Sequence, residues 1–233
     1  MIERKEYMNL LEKWRDKKTI KVVTGIRRCG KSSLLRMFRE KLLSDGVSEE
    51  QVQNLNFEDL DNEPFLDYKI LYAHVKQNLC PDKMNYLFFD EIQNVDGWEK
   101  YARNLADRKY QVYITGSNAK MLSKGIMQEL GGRYLPHEIY PYSLSEYMNF
   151  LGIPFDEKAL LQTESRTNFM RAYREYFTWG GLPEAISMNV KRSYLTSLYQ
   201  KIYLGYIAAR HNISNSKRSE EHTSELQSRI RIS

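Results

Sequence analysis

The sequence predicts an α/β fold in which helices cover both faces of a parallel sheet and a helical subdomain follows. Short apolar segments with strand character alternate with segments of helical spacing up to about residue 140, as in parallel sheets. Residues 84–92 are a continuous apolar run that ends in two acids, which is typical of a central parallel strand. Beyond residue 142 the strand patterns stop, and Tyr-rich segments of helical spacing take their place.

The individual elements follow from the apolar spacing and the turn residues between them. Residues 9–14 with their neighbours have helical spacing, and residues 19–25 are a β-branched run that ends in glycine, which predicts a buried strand. Residues 31–46 have apolar positions three and four apart and stop at Asp45-Gly46, which predicts a helix. The other predicted strands are 53–59, 84–92, 111–117 and 134–140, and the other predicted helices are 67–79, 98–108, 119–130, 166–181 and 191–210.

This order of elements divides the chain into three parts. Residues 1–141 are predicted to form the core that contains the sheet, and residues 142–217 the helical subdomain. Pro136 predicts an edge position or a bulge for the last strand, because proline cannot donate to a strand ladder. Residues 218–228 resemble the translation of a sequencing-library adapter, so residues 218–233 are expected to be an artefactual, disordered tail.

Composition and charge narrow the class of protein. The chain has 42% hydrophobic and 28% charged residues, as ordinary globular proteins do, and no apolar run as long as a membrane span. Its net charge of +5 is spread along the chain, which favours a solvated surface over a concentrated nucleic-acid footprint. The charged N-terminus lacks an apolar signal core, and Cys29 and Cys80 do not make a disulfide framework, so a cytoplasmic location is expected.

The strongest motif is a glycine-rich segment between a predicted strand and a predicted helix. Gly25 and Gly30 leave room for backbone N–H groups to approach phosphate, and the helix that starts at Lys31 directs its positive dipole end toward the anion. This pattern predicts a P-loop in which Lys31 contacts the β- and γ-phosphates and Ser32 is a ligand of Mg²⁺. The predicted nucleotide-binding residues are Gly25, Ile26, Arg27, Arg28, Cys29, Gly30, Lys31, Ser32 and Ser33.

Two adjacent acids end the central strand. Asp90 and Glu91 fall at the carboxyl end of a parallel strand, which is where open α/β sheets bind their ligands. We expect Asp90 to help hold Mg²⁺. Glu91 is expected to point the other way in an extended chain and to polarise an attacking water.

Two further positions stay open between a functional and a structural interpretation. Ser117 and Asn118 end a strand, where Asn118 would sense the γ-phosphate or orient water, but the same residues suit a turn or helix cap. Arg133 follows two glycines and would stabilise transition-state charge in its own or a neighbouring subunit, or simply pair with a carboxylate. For Cys29, a thiol that fills space in the loop is favoured over a redox-sensitive one.

Together these residues resemble a prokaryotic family of AAA-type P-loop ATPases, whose members join an ATPase domain to a C-terminal nuclease-like domain. The resemblance implies bound ATP with Mg²⁺, and that further domain is expected to be missing after Ile213. It assigns the phosphate loop to Gly25, Gly30, Lys31 and Ser32, the Mg²⁺-linked acid to Asp90, the base to Glu91, the strand-tip residue to Asn118 and the Gly-Arg motif to Arg133. The segments that carry it are residues 4–14, 20–35, 56–63, 86–100, 113–123, 130–135, 141–147 and 179–185.

Three functional hypotheses follow from these motifs. The first is Mg²⁺-dependent ATP hydrolysis coupled to a conformational change, with a second copy of the chain as a candidate partner in a homo-oligomer. The second is a nucleotide-gated module that binds DNA or another protein and hydrolyses little. The third is a P-loop phosphotransferase, although the Asp90-Glu91 pair favours water as the acceptor.

Overall fold

The computed structural model describes residues 2–108, 110–117, 129–155, 161 and 163–202. The chain divides into two compact units, Met1–Glu184 and Ala185–Ser233. The functional division into a core and a helical subdomain at residue 142 stays a prediction. Most of the predicted helix 119–130 and all of the adapter-like tail lie outside the described residues.

A five-stranded parallel sheet forms the centre of the first unit, in the order β2-β3-β4-β1-β5. This arrangement confirms the predicted α/β class and the predicted parallel sheet. Pro136 lies in β5 at the edge of the sheet, as its missing N–H donor requires. The strands are β1 Ile20–Gly25, β2 Val52–Asn56, β3 Tyr86–Asp90, β4 Gln111–Ser117 and β5 Tyr134–Glu138.

Strand β2 ends earlier than the apolar pattern predicts. The prediction extended it through Asp59, but the strand stops at Asn56. The side chain of Asn56 accepts a hydrogen bond from the N–H of Glu58 at 3.0 Å, which turns the chain out of the extended conformation. The next N–H, of Phe57, still donates to the carbonyl of Asp90 at 3.0 Å, so the turn remains attached to β3.

The predicted helices appear between the strands and after β5. Helix α2 ends as the sequence predicts, because Asp45 caps it and Gly46 has a φ of 95°, which suits glycine. No described helix is long and apolar enough to span a bilayer. The helices are α1 Lys5–Lys13, α2 Lys31–Ser44, α3 Tyr68–Gln77, α4 Trp98–Asp107, α5 Leu144–Phe150, α6 Thr163–Trp179, α7 Pro183–Ile186 and α8 Lys191–Ile202, with short 3₁₀ turns at Glu49–Gln51, Leu60–Leu66 and Ile92–Asn94.

Side chains that alternate along the strands build one hydrophobic core on each face of the sheet. Val22 contributes to the core under α3 and α4, whereas its neighbour Val23 contributes to the core under α1 and α2. In the second core, the rings of Phe88 and Tyr113 from adjacent strands stack with centroids 4.9 Å apart. Every residue of β1 and β3 is buried, so both strands lie in the interior and fix the position of the loops at their ends.

Candidate functional site

The glycine-rich loop follows β1 directly, and its first glycine is required by close packing. A Cβ atom on Gly25 would lie 2.4 Å from the carbonyl oxygen of Ile139 and 2.7 Å from the Sγ atom of Cys29. Gly30 has a φ of 100° and no atom within 4 Å of where its Cβ would be. The first glycine therefore permits tight packing below the loop, and the second leaves an open side above it.

Helix α2 begins immediately after this open side. Its N-cap is Gly30, which has no side chain to accept from the first N–H groups of the helix. Ser32 is exposed at the start of the helix, whereas Lys31 is buried. An uncapped helix N-terminus beside a glycine with an open face is the local geometry of an anion-binding site.

The ammonium group of Lys31 folds back over the loop. Its Nζ atom lies 3.4 Å from the carbonyl oxygens of both Gly25 and Ile26. It also lies 3.4 Å from a carboxylate oxygen of Glu91, and only 4% of the lysine side chain is exposed. The structure thus brings together Lys31 and Glu91, which are predicted from separate motifs.

Thr115 connects the two acids and is a site residue that the sequence analysis missed. Its hydroxyl donates to Oδ1 of Asp90 and accepts the backbone N–H of Glu91 at 2.9 Å. Thr115 is fully buried in β4, next to the last residue of β3. A polar residue within the apolar strand 111–117 is the signal that could have revealed it.

The expected conformation of Glu91 is wrong. The residue is not extended: it has φ 53° and ψ 45°, in the left-handed region, because a 3₁₀ turn begins directly after it. Its direction therefore does not follow from strand alternation. Besides Lys31, its carboxylate accepts a hydrogen bond from Nε2 of Gln93 at 2.5 Å.

Three other side chains of the loop, those of Arg27, Arg28 and Cys29, are also held by their surroundings. Arg27 pairs with Glu58 and Arg28 with Glu184, each at 2.9 Å, so neither arginine is simply solvated. Cys29 is fully buried, and burial raises the pKa of its thiol. A buried, protonated thiol fits the interpretation that Cys29 fills space beneath the loop.

The two remaining predicted residues lie apart from this cluster or beyond the described chain. Ser117 pairs with Gly25 across the sheet, which places the tip of β4 beside the loop, but Asn118 lies outside the described residues. The carbonyl of Arg133 accepts the N–H of Ile20, so Arg133 is level with the start of β1. The two ends of a six-residue strand are roughly 17 Å apart. The loop therefore lies at the carboxyl ends of the strands, and Arg133 lies at their amino ends.

Arg133 has a carboxylate partner at the amino ends of the strands. Its Nε atom lies 2.9 Å from a carboxylate oxygen of Asp107, and both side chains are about half exposed. The structure therefore bears out the carboxylate pairing that the sequence left open. It does not bring Arg133 to the loop of the same chain.

A model of the AAA domain family matches residues 17–148, which include the loop, both acids and Arg133. The chain belongs to the AAA domain family. This is a P-loop ATPase family, so membership implies nucleotide binding.

Two curated relatives of this AAA domain are uncharacterized proteins of prokaryotes. One, from Haemophilus influenzae, is 31% identical over 93% of this chain and 53% of that protein. The other, from Methanocaldococcus jannaschii, is 31% identical over 85% of this chain and 44% of that protein. The chain spans about half the length of these relatives. The nuclease-like C-terminal domain that the resemblance implied stays a prediction.

One solved structure supports the fold of the AAA domain. The Hsp104-ADP complex of Saccharomyces cerevisiae aligns with a TM-score of 0.51 and 17% identity, over 78% of this chain and 29% of that chain. A Walker-type ATPase of Pyrococcus abyssi aligns over 98% of this chain and 76% of that chain, with a TM-score of 0.49 and 15% identity. At this level of identity, the alignment with Hsp104 shows a shared fold.

The residues of the site fit a nucleotide with Mg²⁺. Among the described residues, no cluster of three or more His, Cys, Asp or Glu side chains could hold a metal ion by itself. Mg²⁺ commonly binds through one or two protein oxygens together with substrate phosphates and water. Ser32, exposed at the first turn of α2, and Asp90, at the end of β3, provide such oxygens.

Proposed function

We propose that the chain binds MgATP on the Gly25–Ser32 loop and hydrolyses it. The observation that carries this proposal is the contact between Lys31 and Glu91, at 3.4 Å, at a loop whose Gly30 has an open side. A lysine that binds phosphate and a carboxylate that activates water need to lie within a few ångströms of the same phosphoryl group. ATP supplies the phosphoanhydride bond that is broken, and Mg²⁺ neutralises charge on its phosphates.

Each residue has a separate role in this proposal. Lys31 and the N–H groups at the start of α2 bind phosphate, and Ser32 and Asp90 hold Mg²⁺. The hydroxyl of Thr115 donates a hydrogen bond to the carboxylate of Asp90, which acts only as an acceptor in this contact. The bond keeps the carboxylate in place. Glu91 takes a proton from the attacking water, and Asn118 stays a predicted sensor at the tip of β4.

The ion pair between Lys31 and Glu91 gives this site a means of control. While the carboxylate of Glu91 is paired with the ammonium group, that contact occupies one of its oxygens and competes with a water for it. Phosphate offers Lys31 a more highly charged partner, so nucleotide binding weakens the pair and leaves Glu91 available as a base. The base thereby becomes competent only when the loop is filled.

Arg133 is proposed to act on the nucleotide of a second copy of the chain. Arg133 lies at the amino ends of the strands, whereas the loop of the same chain lies at their carboxyl ends. The ion-pair partner of Arg133, Asp107, is half exposed. The same placement favours a second candidate function. A single chain that lacks this arginine at its own phosphates would bind nucleotide but hydrolyse it slowly, as a nucleotide-gated binding module does.

The deciding experiment compares phosphate release from MgATP by the wild type and by Glu91→Gln. We expect the variant to bind ATP but to lose turnover by roughly a hundredfold or more, because an amide cannot accept the proton. Glu58→Gln is the matched control, because Glu58 is also paired with a nearby residue of the loop, Arg27, but lies outside the cluster around Lys31. It should keep wild-type turnover.

The outcomes separate the two functions. Turnover that disappears only in Glu91→Gln supports ATP hydrolysis with Glu91 as the base. ATP binding without turnover in the wild type, at concentrations where the chain is a monomer, favours the binding module. Equal turnover in the wild type and Glu91→Gln would refute the proposed role of Glu91.

A further inference from the structure

Arg4, which lies before α1, is one of the most buried charged residues in the part of the chain that the structure describes. Only 3% of it is exposed. Its Nη1 atom donates to the carbonyl oxygen of Cys29 in the glycine-rich loop at 3.3 Å. Its Nε and Nη2 atoms bind the two carboxylate oxygens of Glu146 at 2.8 and 2.9 Å. One guanidinium group therefore joins the N-terminal segment, the loop and helix α5.

Glu146 is itself held in place from two sides. The hydroxyl of Ser143 accepts the N–H of Glu146 at 3.2 Å, and the carboxylate accepts the N–H of Ser143 at 2.9 Å, which forms a capping box. Burial alone would raise the pKa of Glu146, but the hydrogen bonds from Arg4 and Ser143, together with the positive charge of Arg4, outweigh burial and lower this pKa. The two side chains thus form an ionised, bidentate pair whose carboxylate is fixed by a helix cap.

Tyr142 closes the other side of Arg4. The guanidinium carbon lies 5.3 Å from the centre of the Tyr142 ring and 4.3 Å from that of Tyr7. The carbonyl of Tyr142 accepts from the hydroxyl of Tyr176 at 3.0 Å, and its N–H donates to Gly181 at 2.7 Å. A Cβ atom on Gly181 would lie 2.0 Å from the carbonyl oxygen of Tyr142, so only glycine permits this contact.

The bond from Arg4 to Cys29 determines how one peptide group of the loop is oriented. The peptide that joins Cys29 to Gly30 is trans, so its C=O and N–H point in opposite directions. The guanidinium holds the C=O toward the buried side. The N–H of Gly30 must then point away from it, at the N-cap of α2 and beside the open side of the loop.

We infer that Arg4 and Glu146 are positioning residues for phosphate binding, because they fix the peptide whose N–H, that of Gly30, faces the phosphate. This inference rests on the proposed function of the loop. The role depends on geometry and not on charge alone, since the carboxylate of Glu146 neutralises the guanidinium. Lysine retains the charge of arginine but cannot make the bidentate pair and reach the carbonyl of Cys29 at the same time.

The test measures binding of inorganic pyrophosphate by calorimetry, beside thermal unfolding, in Arg4→Lys and in the double variant Arg4→Met/Glu146→Leu. The double variant removes both partners and so leaves no unpaired buried charge, which keeps the fold accessible. We expect both proteins to fold and to bind pyrophosphate roughly tenfold more weakly, the effect of one hydrogen bond to a charged group. Pyrophosphate reports the loop alone, because it lacks base and ribose.

Arg15→Lys is the matched control. Arg15 also pairs with carboxylates, Glu12 and Asp45, at 3.3 and 3.2 Å, but it has no hydrogen bond to the loop. It should unfold at a lower temperature and keep wild-type affinity for pyrophosphate. Variants of Arg4 that unfold at a lower temperature yet bind pyrophosphate as the wild type does would overturn the inference alone. A wild type that binds neither pyrophosphate nor ATP would overturn the proposed function, and this inference with it.

Discussion

The carboxyl and amino ends of the sheet each contain a buried lysine, and the two lysines differ in their partners. At the carboxyl end, Lys31 lies beside the carboxylate of Glu91, under a loop with an open side. Toward the amino end, Lys21 is fully buried in β1, and its Nζ atom donates to two neutral oxygens, those of the Gln111 side chain and the Lys17 carbonyl. One lysine is paired with a carboxylate beside an open loop, whereas the other is enclosed.

The difference shows how a buried charge is recognised as functional. Burial lowers the pKa of Lys21 to about 8, and Asp16 only partly opposes this effect. The side chain of Lys21 is fully buried, so no ligand contacts it from the solvent. The free-energy cost of burying its charge therefore lowers only the stability of the fold. At the carboxyl ends of the strands, the buried Lys31 is paired with a carboxylate and lies next to the uncapped N–H groups of α2. Such an arrangement is suited to binding an anion.

The largest expected effect tests whether Arg133 of one chain acts on the nucleotide bound to the loop of a second chain. Arg133→Ala should lower the rate of ATP turnover by roughly a thousandfold and leave ATP binding intact, because an arginine at the γ-phosphate stabilises the transition state. Mixing Arg133→Ala with Lys31→Ala should restore part of the turnover, since each variant supplies what the other lacks. Phosphate release from the single and mixed variants measures this. Restoration would be absent if Arg133 only paired with Asp107 to support the fold.

The next largest effect concerns MgATP binding by the loop at the carboxyl ends of the strands. Lys31→Ala should weaken MgATP binding by roughly a hundredfold, because the loop loses its only buried ammonium group among the described residues and Glu91 is left unpaired. Titration with a fluorescent ATP analogue checks the affinity. Lys41→Ala is the control, because Lys41 is on the same helix but pairs with Asp45 at its far end. Unchanged affinity in Lys31→Ala would refute the site.

The smallest effect concerns Lys21 and is seen in stability. The folded pKa of about 8 lies below the ordinary lysine value of 10.5, so between these pH values the unfolded chain binds more protons. The free energy of unfolding should therefore rise with pH in this window, by roughly 3 kcal/mol at most. Chemical denaturation from pH 7 to 10 should show this rise in the wild type and not in Lys21→Met.

Lys18→Met is the control for this measurement, because Lys18 is exposed in the same segment. It should retain the pH dependence of the wild type. At pH 7, Lys21→Met should be at least as stable as the wild type, because it removes the desolvation cost of the charge. A parallel pH dependence in Lys21→Met and the wild type would show that other groups cause the rise.

The sequence by itself predicted the parts of this protein that depend on local spacing. The glycines around residues 25–30, the lysine after them and the acids at the end of β3 are neighbours along the chain or sit at strand ends, so their patterns predict a phosphate loop and a parallel sheet. Pro136 predicted an edge position or a bulge for the same reason, since a missing N–H is a property of one residue, and the strand lies at the edge.

Only the tertiary structure decided the relations between distant segments. The strand order β2-β3-β4-β1-β5 brings β4 beside β3, so that Thr115 contacts both acids. The left-handed conformation of Glu91 and the contact of Arg4 with Cys29 likewise depend on what packs against each residue. Hydrogen bonds between residues far apart in sequence leave no periodic pattern, because their partners are set by the register and packing of the whole sheet.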